Sequence, residues 1–165
     1  AMSPLDKRLW CNNLRKVAYQ KIYFSRISHL GIEPLFRFDE RQRVDYGQQA
    51  ILVSGIGNAR PFLTSAGKLF NEVATFTYGD HHDYTADDLR DIYEILLRHP
   101  RAIKLLTEKD AVQLSRAHRL PEMMRRAMYY LPIEMTLVEG PDHNFIPNLI
   151  EEIDHVEQTF EAKGK

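Results

Sequence analysis

The chain has 165 residues, of which 44% are hydrophobic and 27% are charged, and its formal net charge is −1. This composition is typical of one globular domain with a small appendage, and the near-neutral charge gives no support to nucleic-acid binding. Its apolar runs are shorter than the roughly 18 residues that span a bilayer, no N-terminal run is typical of a secretory signal, and the single Cys11 has no internal disulfide partner.

Positive and negative charges are concentrated at opposite ends of the chain. Residues 1–44 hold nine Lys and Arg against four Asp and Glu, whereas residues 139–165 hold seven Asp and Glu against two Lys. Charge runs of this kind usually form solvated faces. The alternative is a basic edge that faces an anionic lipid or a phosphate group.

The beginning of the chain is predicted to be a basic segment followed by a β-hairpin. Residues 1–17 are mixed and basic, with weak helical character. Residues 18–45 contain two runs of β-branched and aromatic residues on either side of Gly31, which indicates a hairpin. Because Pro34 cannot donate a hydrogen bond to a central ladder, the second strand of this hairpin is predicted to lie at a sheet edge.

The remainder, residues 46–165, is predicted to form an α/β domain. Segments with helical periodicity alternate with compact apolar runs that are typical of buried strands. Such an alternation indicates a mainly parallel sheet covered by helices on both faces, which is a three-layer α/β/α fold. The predicted strands are residues 50–53, 73–78, 102–106 and 133–138. A further apolar stripe extends from Leu120 to Leu131, and a terminal helix carries apolar residues from Ile146 to Phe160.

Two of the predicted helices begin with a capping pattern. Thr85 is followed three residues later by Asp88, so the threonine hydroxyl can accept an amide proton while the acid lies at the positive end of the helix. Thr107 and Asp110 repeat this spacing, and Pro100 ends the first of the two helices.

The block Asp80-His81-His82 follows the second predicted strand, and it carries the strongest chemical signal in the chain. Ligands of open α/β sheets bind at the carboxyl ends of strands. An imidazole there can take a proton from a substrate hydroxyl or tune another group that does, and a neighbouring carboxylate can orient it. The alternatives are a metal site, which needs ligands from elsewhere in the chain, and turn histidines without chemistry.

The block Thr107-Glu108-Lys109-Asp110 follows the third predicted strand. Its acids are favourable helix caps, but Lys109 opposes the helix dipole, which favours contact with an anionic ligand or with a carboxylate of the site. The two polar blocks are therefore predicted to share one cleft.

A glycine turn, Gly55-Ile56-Gly57-Asn58, follows the first predicted strand. It matches half of a dinucleotide fingerprint, but Arg60 stands where a third small residue is needed. A tight strand-to-helix turn explains it, and the alternative is that its amides line the same cleft. The sequence holds no Gly-x-x-x-x-Gly-Lys-Ser/Thr pattern, which is the usual phosphate cradle for ATP.

Taken in order, the glycine turn and the two polar blocks resemble the C-terminal half of the tetraacyldisaccharide 4′-kinases of lipid A biosynthesis. The predicted hairpin resembles that family's two-stranded linker between domains, and the resemblance covers about residues 18–153. The chain departs from the family pattern at Ala59, where the family usually has proline, and at Gln113, where it often has lysine.

The resemblance implies transfer of the γ-phosphate of ATP, with Mg²⁺, to the 4′-hydroxyl of a tetraacyldisaccharide 1-phosphate lipid. It implies a location at the cytoplasmic face of the bacterial inner membrane, and an N-terminal P-loop domain that holds ATP and Mg²⁺, so none is expected to bind this chain alone. It also implies a catalytic role for His81, either as a proton acceptor or as the partner that tunes a carboxylate of the N-terminal domain, with Asp80 and His82 as neighbours. The residues expected to face the cleft are Gly55, Gly57, Asn58, Thr107, Glu108, Lys109 and Asp110, and no metal ligand is assigned.

Two alternatives to a kinase fragment remain. One is a metal-dependent phosphoesterase of the Asp-His-His type, which would need a separate Asp-x-Asp on an earlier strand, and none follows Ser54. The other is a non-catalytic module that docks on a lipid surface or a partner through the basic N-terminal stretch and the hairpin.

Overall fold

A computed structural model describes residues 3–14, 17, 20–38, 43–116, 120–138 and 145–163, with side chains described as far as residue 155 in the last helix. The chain divides into two compact units, one formed by Ala1–Ile27 with Met135–Lys165 and the other by Ser28–Glu134. In chain order the elements are α1 (Pro4–Asn13), β1 (Ser25–His29), β2 (Glu33–Pro34), β3 (Gln49–Ser54), α2 (Arg60–Leu69), β4 (Asn71–Thr77), α3 (Ala86–Arg98), β5 (Ile103–Thr107), α4 (Glu108–Ser115), α5 (Glu122–Arg126), β6 (Met128–Leu131), β7 (Ile133–Leu137) and α6 (Phe145–Lys163).

The unit Ser28–Glu134 is built around a five-stranded sheet with the order β2-β6-β5-β3-β4. Strands β6, β5, β3 and β4 run parallel to one another, and only β2 is antiparallel, to β6. The carboxyl ends of β3, β4 and β5 therefore lie along one edge of the sheet. This arrangement confirms the predicted, mainly parallel α/β sheet.

Helices cover both faces of this sheet, which confirms the three-layer fold. The central strands β3 and β5 are buried along almost their whole length because each face packs against apolar helix residues. On one face α2 contributes Phe62 and Ala66. On the other face α3, α4 and α5 contribute Ile92, Leu114 and Met124.

The helix starts follow the predicted caps. Thr85 and Asp88 form a complete capping box at α3, and the Thr107 side chain accepts the amide hydrogen of Asp110 at α4. By contrast, α2 begins at Ala59 without a side-chain cap. Helices α3 and α4 follow β4 and β5, so their capped first turns are fixed at the carboxyl edge of the sheet.

The predicted β-hairpin is wrong, although both of its strands exist. Strand β1 pairs with β7 in a separate two-stranded sheet, and β2 pairs with β6. The reason is that β6 leaves an open sheet edge, where Leu35 donates its amide hydrogen to the Met128 carbonyl at 3.0 Å. Pro34 does lie in an edge strand, as predicted. Residues 18, 19 and 39–42 of the predicted linker lie outside the described residues.

The apolar stripe from Leu120 to Leu131 divides between two elements. A short helix, α5, ends at Arg126, and β6 then adds a strand beside β5 that the sequence did not indicate. Residues 128–131 include two tyrosines, which suit a strand, and the free edge of β5 provides the pairing. The predicted last strand, β7, lies outside the main sheet.

A lysine is buried in the middle of this sheet. Lys104 of β5 is 0% exposed, and its register partners are Ile51 and Met128. Its Nζ has no hydrogen-bond partner among the described residues. Burial away from water lowers the pKa of Lys104 to about 7, because the charged amine loses its hydration.

We expect Lys104→Met to raise the free energy of unfolding at pH 7 by at least about 2 kcal/mol, since methionine fills the same space without an amine to desolvate. The unfolded state keeps the lysine proton up to about pH 10.5, whereas the folded state loses it above about pH 7. The cost of burying Lys104 is therefore largest below pH 7 and fades between pH 7 and 10.5.

Urea denaturation of both proteins at pH 7 and pH 9.5 measures this effect, and the gain of the variant should shrink at the higher pH. Lys68→Met, at an exposed position of α2, is the matched control and should change stability by less than about 0.5 kcal/mol. A Lys104→Met variant no more stable than the parent at pH 7 would contradict the expectation.

Candidate functional site

The three turns that leave β3, β4 and β5 come together at the carboxyl edge of the sheet, within the unit Ser28–Glu134. Lys109 Nζ donates to Asp80 Oδ1 at 2.6 Å, which joins the turns after β5 and β4. The Gly55 amide donates to Asp110 Oδ2 at 2.9 Å, which joins the turns after β3 and β5. The predicted shared edge is therefore present.

His81 has an unusual backbone conformation. Its φ is +58°, the left-handed region that residues other than glycine rarely adopt. Its side chain is 85% exposed, so burial of the ring does not explain the strain. A residue held in such a conformation at a strand end is a candidate for function, because strain of this kind persists only where the surroundings enforce it.

Asp80 connects His81 to Lys109. Its Oδ1 accepts the His81 amide hydrogen at 3.1 Å and the Lys109 hydrogen at 2.6 Å, while its Oδ2 lies 3.5 Å from His81 Nε2. The hydrogen bond from Lys109 is the main cause that lowers the pKa of Asp80 below its ordinary value. The carboxyl group is therefore ionised over the whole neutral range.

His82 contacts the first turn of α3. Its Nε2 lies 2.9 Å from Asp88 Oδ2, and its ring stacks on Tyr78 with the ring centroids 4.2 Å apart. Burial opposes ionisation of Asp88, but hydrogen bonds from Thr85 and His82 outweigh it and lower the pKa of Asp88. Burial, with the charges of Asp88 and Asp91, raises the pKa of Tyr78 to about 12. The ring and the carboxylate together fix the base of the Asp80 turn.

Asp110 is the buried centre of the edge. It is 1% exposed, and its Oδ2 accepts hydrogens from the Gly55 amide and the Thr107 hydroxyl. The Tyr84 ring lies against the same carboxylate, and burial together with the Asp110 charge raises the pKa of Tyr84 well above its usual range. These contacts hold the β3 and β5 turns at a fixed separation.

The other predicted cleft residues have local roles. Asn58 Oδ1 accepts the Arg60 amide hydrogen at 3.3 Å, near the start of α2. Glu108 turns toward β7, where its Oε2 accepts the Ile133 amide hydrogen at 2.9 Å. Gly57 packs behind Asp80, and an added Cβ would lie 3.6 Å from the Asp80 Cβ. The Gly55 amide is already used by Asp110, so it is not available to a phosphate.

Sequence reasoning missed Tyr78, Tyr84 and Asp88 as members of this edge. The sequence indicates Asp88 only as a helix cap. The one indication for the two tyrosines is their position close to Asp80-His81-His82 in the chain. Among the described residues, no group of three His, Cys, Asp or Glu side chains could hold a metal ion, and no helix is long and apolar enough to cross a membrane.

The fold and the edge define a class: an α/β domain with an exposed histidine held by an Asp–Lys pair at the carboxyl ends of a parallel sheet. A family model described as Tetraacyldisaccharide-1-P 4'-kinase matches residues 13–152. The chain belongs to this family.

Several curated relatives are described as "Tetraacyldisaccharide 4'-kinase". The protein from Porphyromonas gingivalis is 29% identical over 160 residues, covering 93% of this chain and 44% of that protein. The protein from Parabacteroides distasonis is 30% identical over 159 residues, covering 93% and 43%, and that from Phocaeicola vulgatus is 25% identical over 153 residues, covering 90% and 42%. The chain thus spans less than half the length of these relatives. No solved structure matches it significantly.

We expect Gly55→Ala to lower the free energy of unfolding by about 1–3 kcal/mol, the usual cost of overpacking. A Cβ at this position would lie 2.9 Å from Asp110 Oδ1 and 3.4 Å from the Tyr84 hydroxyl, so the buried carboxylate would have to move off its hydrogen bonds. Chemical denaturation measures the loss.

Gly67→Ala is the matched control, because an added Cβ there meets nothing within 4 Å and the residue lies inside α2. It should stabilise the protein by about 0.5 kcal/mol. Equal effects of the two substitutions would show that the Gly55 turn is not close-packed against Asp110.

Proposed function

We propose that this chain is the C-terminal part of a kinase that transfers the γ-phosphate of ATP to the 4′-hydroxyl of a tetraacyldisaccharide 1-phosphate lipid, with His81 as the proton acceptor. Membership of the kinase family supports the reaction class. The observation that carries the role of His81 is its strained backbone and exposed ring, held beside the Asp80–Lys109 pair. Family membership also favours this function over a metal-dependent phosphoesterase.

The arrangement suits removal of a proton from a sugar hydroxyl. An exposed imidazole at a strand end can approach a substrate hydroxyl and take its proton. The ionised Asp80 carboxylate lies 3.5 Å from His81 Nε2, where it can orient the ring and stabilise the imidazolium that forms. Asp80 and His82 are thus supporting residues in this proposal, and His81 touches the substrate.

ATP and Mg²⁺ are proposed to bind outside this chain. The sequence has no P-loop pattern, the described residues offer no group of three metal-ligating side chains, and the Gly55 amide is occupied by Asp110. In phosphoryl transfer the nucleotide and metal supply much of the positioning and charge stabilisation. A P-loop domain in the remaining part of the full-length protein is therefore the partner that this proposal requires.

The lipid substrate places the full-length enzyme at the cytoplasmic face of the inner membrane in this proposal. Helix α1 exposes Leu5, Leu9 and Trp10 beside Lys7 and Arg8, a combination that suits contact with an anionic bilayer surface. Peripheral attachment through such a surface is compatible with the kinase activity, so the docking alternative becomes one aspect of the same function.

We expect His81→Ala, made in the full-length kinase, to lower kcat by about 100-fold or more, the usual scale for loss of an acid–base group. The assay follows transfer of labelled γ-phosphate from ATP to the tetraacyldisaccharide 1-phosphate. His99→Ala is the control, because His99 follows α3 at the opposite edge of the sheet. A His81→Ala enzyme with the parental rate would remove His81 from the chemistry.

We expect the purified 165-residue chain to transfer no phosphate from ATP by itself, because the proposed nucleotide-binding half is a separate part of the enzyme. The same assay, run with the chain alone and with the full-length kinase as positive control, measures this. Robust turnover by the chain alone would overturn the proposed division between the two halves.

A further inference from the structure

Lys109 occupies a position that a helix disfavours for a cation. It is in the first turn of α4, beside the positive end of the helix dipole, where Glu108 and Asp110 are favourable and a lysine is not. Glu108 and Asp110 have structural partners at Ile133 and Gly55. Lys109 instead reaches across to the turn after β4 and contacts Asp80.

We propose that Lys109 is a positioning residue for the phosphoryl transfer: it orients Asp80, and through Asp80 it holds the backbone and ring of His81 in the arrangement that accepts the proton. This inference rests on the proposed function. The residue acts through Asp80 and His81 and does not itself contact the reacting atoms.

The hydrogen bonds of Asp80 show how this positioning works. Two donors, Lys109 Nζ at 2.6 Å and the His81 amide at 3.1 Å, converge on Oδ1. The plane of the carboxylate is therefore fixed, and Oδ2 is left facing His81 Nε2 at 3.5 Å. Without Lys109, the His81 amide is the one remaining hydrogen-bond donor to this carboxylate among the described residues. The carboxylate can then rotate, so both the strained turn and the ring lose their support.

A purely stabilising role does not explain the Lys109–Asp80 pair. The two side chains are 46% and 51% exposed, and exposed ion pairs contribute little to folding stability because solvent screens them. The buried Asp110 links the turns after β3 and β5, and the hydrogen bond from Gln113 to Asp83 also joins α4 to the turn after β4. The base of the Asp80 turn is fixed by His82 and Asp88. Lys109 instead orients the Asp80 carboxylate and places a positive charge beside it.

The test uses Lys109→Met in the full-length kinase, with Gln113→Met as the matched control. Gln113 lies one turn further along α4 and also reaches the β4 turn, where it donates to Asp83 at 3.1 Å without contacting Asp80. We expect Lys109→Met to lower kcat by about 10- to 100-fold while KM for ATP changes less than about 3-fold, because the lost interaction serves the chemical step. Lys109→Arg should restore most of the rate, and Gln113→Met should stay within about 2-fold of the parent.

Two further readouts separate positioning from a general structural effect. A carbon-13 NMR titration of the Asp80 carboxyl in the same protein should show its pKa rising in Lys109→Met and unchanged in Gln113→Met, since the Lys109 hydrogen bond is the main cause of the lowered value. In the double variant His81→Ala/Lys109→Met, the loss of kcat should be no larger than in His81→Ala alone, because residues that act as one unit are not additive.

The inference is overturned if Lys109→Met has the same kcat as Gln113→Met, if its loss appears in KM alone, or if the His81 and Lys109 losses multiply in the double variant. A failure of the proposed function looks different. In that case His81→Ala itself keeps the parental rate, whatever Lys109→Met does.

Discussion

The carboxylate of Asp110 is the interaction on which the site depends. It is buried at the carboxyl edge of the sheet and accepts hydrogens from Gly55, which follows β3, and from Thr107, which ends the neighbouring strand β5. A buried carboxylate is costly unless donors satisfy it, so this arrangement forms completely or not at all. Because α4 begins from the same turn, fixing Asp110 also fixes the next residue toward the N-terminus, Lys109, opposite Asp80.

Local signals in the sequence predicted much of this edge. The spacing from Thr85 to Asp88 and from Thr107 to Asp110 encodes helix starts through neighbouring residues alone, and both caps form. The dipole argument indicated that Lys109 needs an anion, but the identity of that anion depends on how two turns meet in space. The left-handed backbone conformation of His81 is likewise enforced by its surroundings, and local residue propensities do not predict it.

Non-local pairing accounts for what the sequence did not predict. Two short runs of β-branched and aromatic residues separated by a glycine favour a hairpin locally. In the structure the first run pairs with β7, and the second pairs with the open edge of β6. The same reason explains β6 itself, since residues 128–131 become a strand beside β5 although their apolar spacing continues a helical stripe. Burial of Lys104 could not be predicted either, because a lone lysine in an apolar run does not indicate the direction of its side chain.

In the proposed function, the backbone of His81 sets stability and activity against each other at one position. Glycine or asparagine would adopt a φ of +58° at lower cost than histidine, so either substitution relaxes the turn while removing the imidazole. A library of variants selected only for heat resistance would accordingly drift away from histidine at this residue, whereas a library selected for growth that requires the enzyme would keep it. Comparing the residues enriched at position 81 under the two selections would show which of the two pressures favours histidine there.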